Sequence, residues 1–241
     1  MSSPELLYEG KAKKIFRLAG EPDHVLMEFK DSLTAFNALK KGSFDSKGPV
    51  NRDIASLIFA FLRGRGVDSH WVRDEGERGM VARRVEIIPL EVVVRNVLAG
   101  STAKKLGLEE GRVLPRPLVE FYFKNDELQD PFVSDDQIEI LGIASAADLA
   151  ELKKQALRVN EGLKDLFHRA GLRLVDFKIE FGRDKAGKIL LADEITPDCC
   201  RLWDEKTNEK MDKDRFRRDL GQVKESYEQV LQRLRQIGGG K

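Results

Sequence analysis

A mixed α+β fold with antiparallel strands is predicted by three observations. Residues 175–181 alternate apolar and charged without a break, so Val175, Phe177, Ile179 and Phe181 face one side of a strand and Asp176, Lys178 and Glu180 the other. Two long segments, 145–170 and about 212–236, carry apolar residues at steps of three and four, the mark of amphipathic helices. Strand-like segments are separated by short turns rich in Gly, Pro and Asp.

In chain order, residues 6–18 and 25–29 read as a hairpin turning at Glu21-Pro22-Asp23. Residues 51–63 are densely apolar and read as a helix stopped by Gly64 or Gly66. Residues 81–97, rich in Val and Ile, read as a strand interrupted at Pro89. The 145–170 helix is opened by Ser145 with Asp148 three positions on and closed by Gly171. After the alternating strand, residues 182–187 form a turn with glycine at both ends, and residues 188–195 return as a mostly apolar strand ending in Asp193 and Glu194. The last helix presents Phe216, Leu220, Val223, Tyr227, Val230 and Leu234. It spans fewer than four heptads and is expected to pack on its own chain rather than on a coiled-coil partner. Residues 238–240 read as a frayed glycine tail.

Composition excludes several classes. The chain has 241 residues, enough for one large domain or two joined lobes. With 42 Lys+Arg against 41 Asp+Glu, no global field attracts nucleic acid or anionic lipid. The longest apolar run, residues 57–62, is far short of a membrane span, and no targeting segment is evident, so a cytoplasmic protein is expected. Cys199 and Cys200 are adjacent and form no disulfide framework or structural zinc site. His24, His70 and His168 fall in no triad or metal spacing. Gly182 to Lys188 matches a phosphate-binding loop until Ile189, where Ser or Thr is needed, and a strand rather than a helix follows. Arg63-Gly64-Arg65-Gly66 reads as a helix C-cap.

The charged face is the chemical signal. A hairpin register pairing odd with even residues brings Asp193 onto the face of Asp176, Lys178 and Glu180, making three carboxylates and one ammonium. Crowded carboxylates repel unless a cation separates them, and Mg²⁺ fits where phosphates are also present. A solvated face with ion pairing accounts equally for the pattern alone. Lys11 and Lys13, read on one face of the first strand beside Gly10, suit a lid over phosphates. Arg95 at a strand end, followed by a turn and a helix starting at Ser101 or Thr102, makes either a phosphate monoester site or an ordinary N-cap with a surface arginine.

Six segments together resemble one family. Y-E-G-K-A-K-K from Tyr8, V-R-N-V-L-A-G-S from Val94, F-K-N-D-E-L-Q-D-P from Phe123, L-V-D-F-K-I-E-F-G from Leu174, D-E-I-T-P-D-C-C-R-L-W-D from Asp193 and M-D-K-D-R-F-R from Met211 are similar, in family order, to the motifs of phosphoribosylaminoimidazole-succinocarboxamide (SAICAR) synthases. Cys199 and Cys200 depart from that pattern, which commonly has Gly- or Ser-type residues there, and residues 40–48 match it loosely. The resemblance implies an ATP-grasp-like fold in two lobes, residues 1–88 and 89–241, clamping ATP. It implies an ATP-dependent ligase that joins L-aspartate to carboxyaminoimidazole ribonucleotide (CAIR), giving SAICAR, ADP and phosphate in purine biosynthesis through an acyl phosphate. Small-molecule partners are implied, with no nucleic acid or membrane, and a homodimer is left open.

By matching position, Lys11 and Lys13 hold the ATP phosphates and Glu91 lies on the strand joining the lobes, beside adenine. Glu180 and Asp193 bind Mg²⁺, with Glu180 also counted on the ATP side. Arg95 and Ser101 hold the ribonucleotide phosphate. Asp130, Asp176, Lys178, Asp198 and Arg201 line the CAIR and aspartate side, with Lys13, Asp130 and Lys178 expected closest to the chemistry. Two other classes share these residues. A small-molecule kinase would release phosphorylated product without aspartate, and a nucleotide-binding module would turn nothing over.

Overall fold

The computed structural model describes residues 5–35 and 39–238, so Gly239 and Gly240 of the glycine tail lie outside the described residues. The chain first lays down β1 (Leu6–Glu9), β2 (Lys13–Arg17) and β3 (His24–Phe29). The ribbon β4 (Ser32–Ala35) and β5 (Lys40–Ser43) follows, then α1 (Lys47–Gly64), β6 (Trp71–Glu75) and β7 (Gly79–Arg83). These form an antiparallel five-stranded sheet in the order β1-β2-β3-β7-β6, with the ribbon apart.

At Arg84 and Val85 the chain leaves that sheet and enters β8 (Glu86–Val97). It continues through α2 (Gly100–Lys105), β9 (Val113–Phe123), β10 (Phe132–Val133), α3 (Asp135–Ile140), α4 (Ala146–Arg169), β11 (Leu172–Arg183), β12 (Ile189–Ala192), β13 (Cys200–Asp204), α5 (Asp214–Arg217) and α6 (Val223–Gly238). The second sheet, also antiparallel, runs β10-β9-β8-β11-β12, with β13 on β11. One edge of β11 pairs with β8, while the other is shared by β12 at its C-terminal end and β13 at its N-terminal end. The loop of residues 193–199 therefore leaves the ladder opposite the middle of β11, beside Lys178 and Ile179.

Helix α4 covers the buried face of this sheet and packs against α1 and α6, and Ile54, Phe59, Leu62, Leu163, Phe167 and Tyr227 are essentially inaccessible. Ser145 and Asp148 make the reciprocal capping box expected at the start of α4. Helix α1 also touches β3, β6 and β7, so it links the first sheet to the helices packed on the second.

Four local expectations change. Gly10 to Ala12 breaks the first strand into β1 and β2, because the Gly10 amide donates to the Lys13 carbonyl (2.8 Å) and closes a tight turn. Pro89 does not interrupt β8, since it sits where the β8–β11 register slips and two extra residues bulge, a position that needs no ladder donor. Helix α2 starts at Gly100 behind Ala99, so Ser101 lies in its first turn and is not its cap. The expected final helix is two helices, because Asp219, Gly221 and Gln222 take left-handed backbone angles and the Arg215 guanidinium ties the break by donating to the Gly221 carbonyl (2.7 Å).

The α1 N-terminus rests on a close approach: the Gly48 amide donates to Asp31 Oδ1 (2.8 Å), and a β-carbon on Gly48 would lie 2.5 Å from the Phe29 carbonyl oxygen. Gly48→Ala is expected to destabilise the fold by about 1–3 kcal/mol. A urea unfolding midpoint that falls with an unchanged m-value checks this.

Candidate active site

Two cavities flank the middle of β11. The first, about 600 Å³, lies between the sheets and has two chemically different ends. Ile15, Val25, Met27, Val85 and Ile87 make an apolar end, and Lys11, Lys13, Lys124 and Lys178 gather at the other with Glu180, Asp193 and Glu194. The second, about 310 Å³, is lined by Arg95, Arg201 and Arg217 with Ser101, Tyr122, Asp176 and Asp198. Glu91 and Lys178 line both.

Strand pairing explains why Lys178 sits at that junction. Glu180 and Glu91 are directly opposite on β11 and β8, a like-charge pair that destabilises unless a cation intervenes. The Lys178 ammonium intervenes, 2.7 Å from Glu180, 3.4 Å from Glu91 and 3.5 Å from Asp193. Burial pulls against its charge, but the Glu180, Asp193 and Glu91 carboxylates outweigh burial and hold its pKa well above the usual lysine value. Lys178 is thus a fixed cation. Lys124 reaches Glu180 from the end of β9 (2.5 Å), and Lys13 contacts both Asp193 and Glu194.

Asp193 joins this cluster by a route different from strand alternation. The observed register pairs Glu180 with Ala192, even with even, so simple alternation would turn Asp193 away from Glu180. Instead Asp193 takes a left-handed backbone (φ 61°) as the ladder ends, which brings its carboxylate back beside Lys178. Burial opposes its ionisation, but Lys13, Lys178 and Lys124 hold its pKa well below the carboxylate range.

On the second cavity, Asp176 stands between Arg95 (2.7 Å) and Arg201 (2.8 Å), its cross-strand partners on β8 and β13. Arg95 is buried and also binds Glu120 (2.6 Å), so its guanidinium is largely spent within the protein. Arg201 and Arg217 are both anchored by Asp214, at 3.1 and 2.6 Å. Asp198 is buried among Lys47 (2.5 Å), Asn51 (2.9 Å) and the Tyr227 hydroxyl (2.9 Å). Burial opposes its charge, and Lys47, Lys213 and those hydrogen bonds hold its pKa below the usual range.

All the sequence-selected residues fall on these two cavities, and two of them, Glu91 and Asp130, line parts other than those expected. Glu91 is at the charged junction, not the apolar end, where Arg83 to Val85 and Ile87 stand instead. Asp130 lies on the rim of the first cavity, its carboxylate accepting the Asn125 amide (2.9 Å), and does not reach the second. Lys11 is half exposed and pairs with Asp126 (2.7 Å) across the cavity mouth. Lys47, Asn51 and Tyr227 were missed because they act through Asp198 from helices whose apolar spacing alone was informative, and His70 because it is a lone histidine.

The whole chain matches known proteins of one kind. A family model described as SAICAR synthetase matches residues 6–234. The chain belongs to the SAICAR synthetase family. A phosphoribosylaminoimidazole-succinocarboxamide synthase of Shouchella clausii is 54% identical over 97% of this chain and 98% of its own. That of Lysinibacillus sphaericus is 51% identical over the full length of both. Among solved structures, the synthase of Ehrlichia chaffeensis superposes with a TM-score of 0.93 at 41% identity, covering 96% of this chain and 98% of that one. A SAICAR synthetase in complex with ADP superposes at 0.91 with 46% identity, covering 94% and 96%. SAICAR synthetases are ATP-dependent ligases of purine biosynthesis that condense aspartate with CAIR.

Lys47→Met leaves the Asp198 carboxylate buried without its main partner and is expected to cost about 3–5 kcal/mol at neutral pH. In the native protein the lowered Asp198 pKa gives stability that is present above pH ~4 and lost as pH falls below it. In the variant that carboxyl takes up a proton more readily, so the gap between the proteins should narrow towards acid. Denaturant unfolding of both between pH 7 and pH 4 measures it.

Proposed function

We propose that this chain condenses L-aspartate with CAIR by first phosphorylating the CAIR carboxylate, with ATP in the first cavity and CAIR in the second. The observation that carries the reading is the junction: a cavity with an apolar end and a lysine-rich end meets an arginine-rich cavity at Lys178 and Glu91. In this reading the lobes form an ATP-grasp-like clamp, with the division at Arg84–Val85, where the chain changes sheets, rather than at residue 88. Adenine occupies the apolar end and the phosphates run towards Lys11, Lys13 and Lys124. The ribonucleotide phosphate is held by Arg201, Arg217 and Ser101, with Arg95 orienting Asp176 and completing the positive field.

Mg²⁺ suits the donors present. Among the described residues no group of three or more His, Cys, Asp or Glu side chains could hold a metal by itself. Glu180 and Asp193 as two carboxylates beside a phosphate tail are the usual setting for Mg²⁺, which completes its shell with phosphate oxygens and water. There it would disperse the charge of the triphosphate.

The chemistry needs no protein nucleophile. A carboxylate is not attacked by an amine because oxide does not leave. A CAIR carboxylate oxygen therefore takes the γ-phosphoryl as ADP departs, and the aspartate amine then attacks the acyl carbon as inorganic phosphate departs. Lys178 and Lys13 are fixed cations facing the phosphoryl oxygens, where preorganised charge is worth most. Asp198, kept ionised by Lys47 and Tyr227, and Asp176 offer acceptors to CAIR and to the N–H groups of the incoming aspartate amine. Asp130 steadies the loop that closes the ATP side, and confinement of three substrates supplies much of the rate.

ADP release is expected to require both CAIR and L-aspartate, measured in a coupled assay with each omitted or replaced by glutamate. Rapid ATP turnover without CAIR would point instead to a kinase or an uncoupled ATPase. Glu180→Gln and Asp193→Asn are each expected to lower turnover by about two orders of magnitude or more and to raise the Mg²⁺ requirement while the melting transition survives. Steady-state kinetics across a Mg²⁺ series would show wild-type behaviour if that face were only solvated.

A further inference from the structure

We infer that His70 is a positioning residue for Asp193: its imidazole holds the left-handed backbone that delivers the Asp193 carboxylate to the phosphate end of the first cavity. His70 Nε2 lies 2.9 Å from the Asp193 carbonyl oxygen. A carbonyl has no proton to give, so Nε2 carries the hydrogen and donates. The ring is buried at the inner wall of the first cavity, with Phe59 edge-on at 5.7 Å.

The surrounding backbone shows what the imidazole replaces. Residues 68–70 run parallel to β12: the Leu191 amide donates to the Asp68 carbonyl (3.2 Å), and the His70 amide donates to the Leu191 carbonyl (2.8 Å). A parallel ladder would next place the amide of residue 72 on the Asp193 carbonyl. The chain instead turns into β6 at Trp71, and the His70 side chain supplies the missing donor. Asp193 is not glycine, and although Asp enters the left-handed region more readily than most L-residues, φ of 61° still carries a cost that a fixed hydrogen bond to its carbonyl offsets. The His70 carbonyl meanwhile accepts the Arg83 amide (2.7 Å), so one residue ties β7 of the first sheet to the loop of residues 193–199 in the second. Charged neighbours near the ring are Asp193, Lys13 and Arg83, and burial first, against the attraction of Asp193, keeps the imidazole neutral with a pKa of about 4.

The inference rests on the proposed role of Asp193 towards Mg²⁺ and nucleotide, and its test separates the two. Gln carries an N–H at the position of Nε2 and Asn does not, while both are polar and uncharged. His70→Asn is expected to weaken the Mg²⁺-dependent enhancement of ADP binding at least tenfold by calorimetry, with metal-free ADP binding changed less than twofold. His70→Gln is expected to restore most of that enhancement. The CAIR KM should move less than twofold in both. Asp193→Asn is the control. If it leaves the Mg²⁺ enhancement intact, the reading of Asp193 itself fails. If it abolishes the enhancement while His70→Asn melts lower with the enhancement unchanged, His70 is merely core packing and the inference is overturned. Equal losses in the Gln and Asn variants would also overturn it, since the donor would then not be what matters.

Discussion

Everything at the site depends on the opposition of Glu180 and Glu91 across β11 and β8, and on the ammonium that makes it tolerable. Two carboxylates facing each other in a sheet repel, and a buried cation alone is costly, so each is stable only with the other. On one edge of β11 the partner β8 runs past Lys178 unbroken, while on the other edge β12 stops opposite Glu180 and β13 takes over at Phe177. The ladder opens, and the loop of residues 193–199 emerges with Asp193 at one end and Asp198 near the other. One carboxylate then faces the lysine-rich cavity and the other the arginine-rich one. The two-cavity architecture follows from a gap in one strand.

The rest of the fold keeps that gap open. Helix α1 brings Lys47 and Asn51, and α6 brings Tyr227, to the same Asp198 carboxylate, so helices distant in sequence converge on one buried charge. Asp214, next to the loop that breaks the last helix, anchors Arg201 and Arg217 together. Breaking such pairs leaves an unpaired charge in a dry interior, which ties stability to site geometry.

Much of this was legible in the sequence. The unbroken alternation at residues 175–181 announced both the central strand and its charged face, and the Ser145/Asp148 box marked the start of the longest helix. What escaped was governed by geometry that period counting does not see. Asp193 was assigned to the correct cluster for a reason that fails, since the register is even with even and a left-handed turn does the work. Pro89 looked like a strand break because a bulge cannot be read from one strand alone. Lys47 and Tyr227 serve a tertiary partner 151 and 29 residues away, a distance no local pattern encodes. The family motifs supplied residue roles that spacing did not, yet Glu91 and Asp130 stand beside different cavity regions from those the motifs suggested.

The central claim is that the CAIR carboxylate and the γ-phosphoryl of ATP meet and react at the Lys178 junction. The most direct measurement is a single turnover with CAIR labelled with ¹⁸O in its carboxylate, followed by ³¹P NMR of the phosphate released. Phosphorylation of the carboxylate predicts that one labelled oxygen passes from CAIR into each inorganic phosphate. Phosphate released with no label, alongside normal formation of SAICAR, would contradict it.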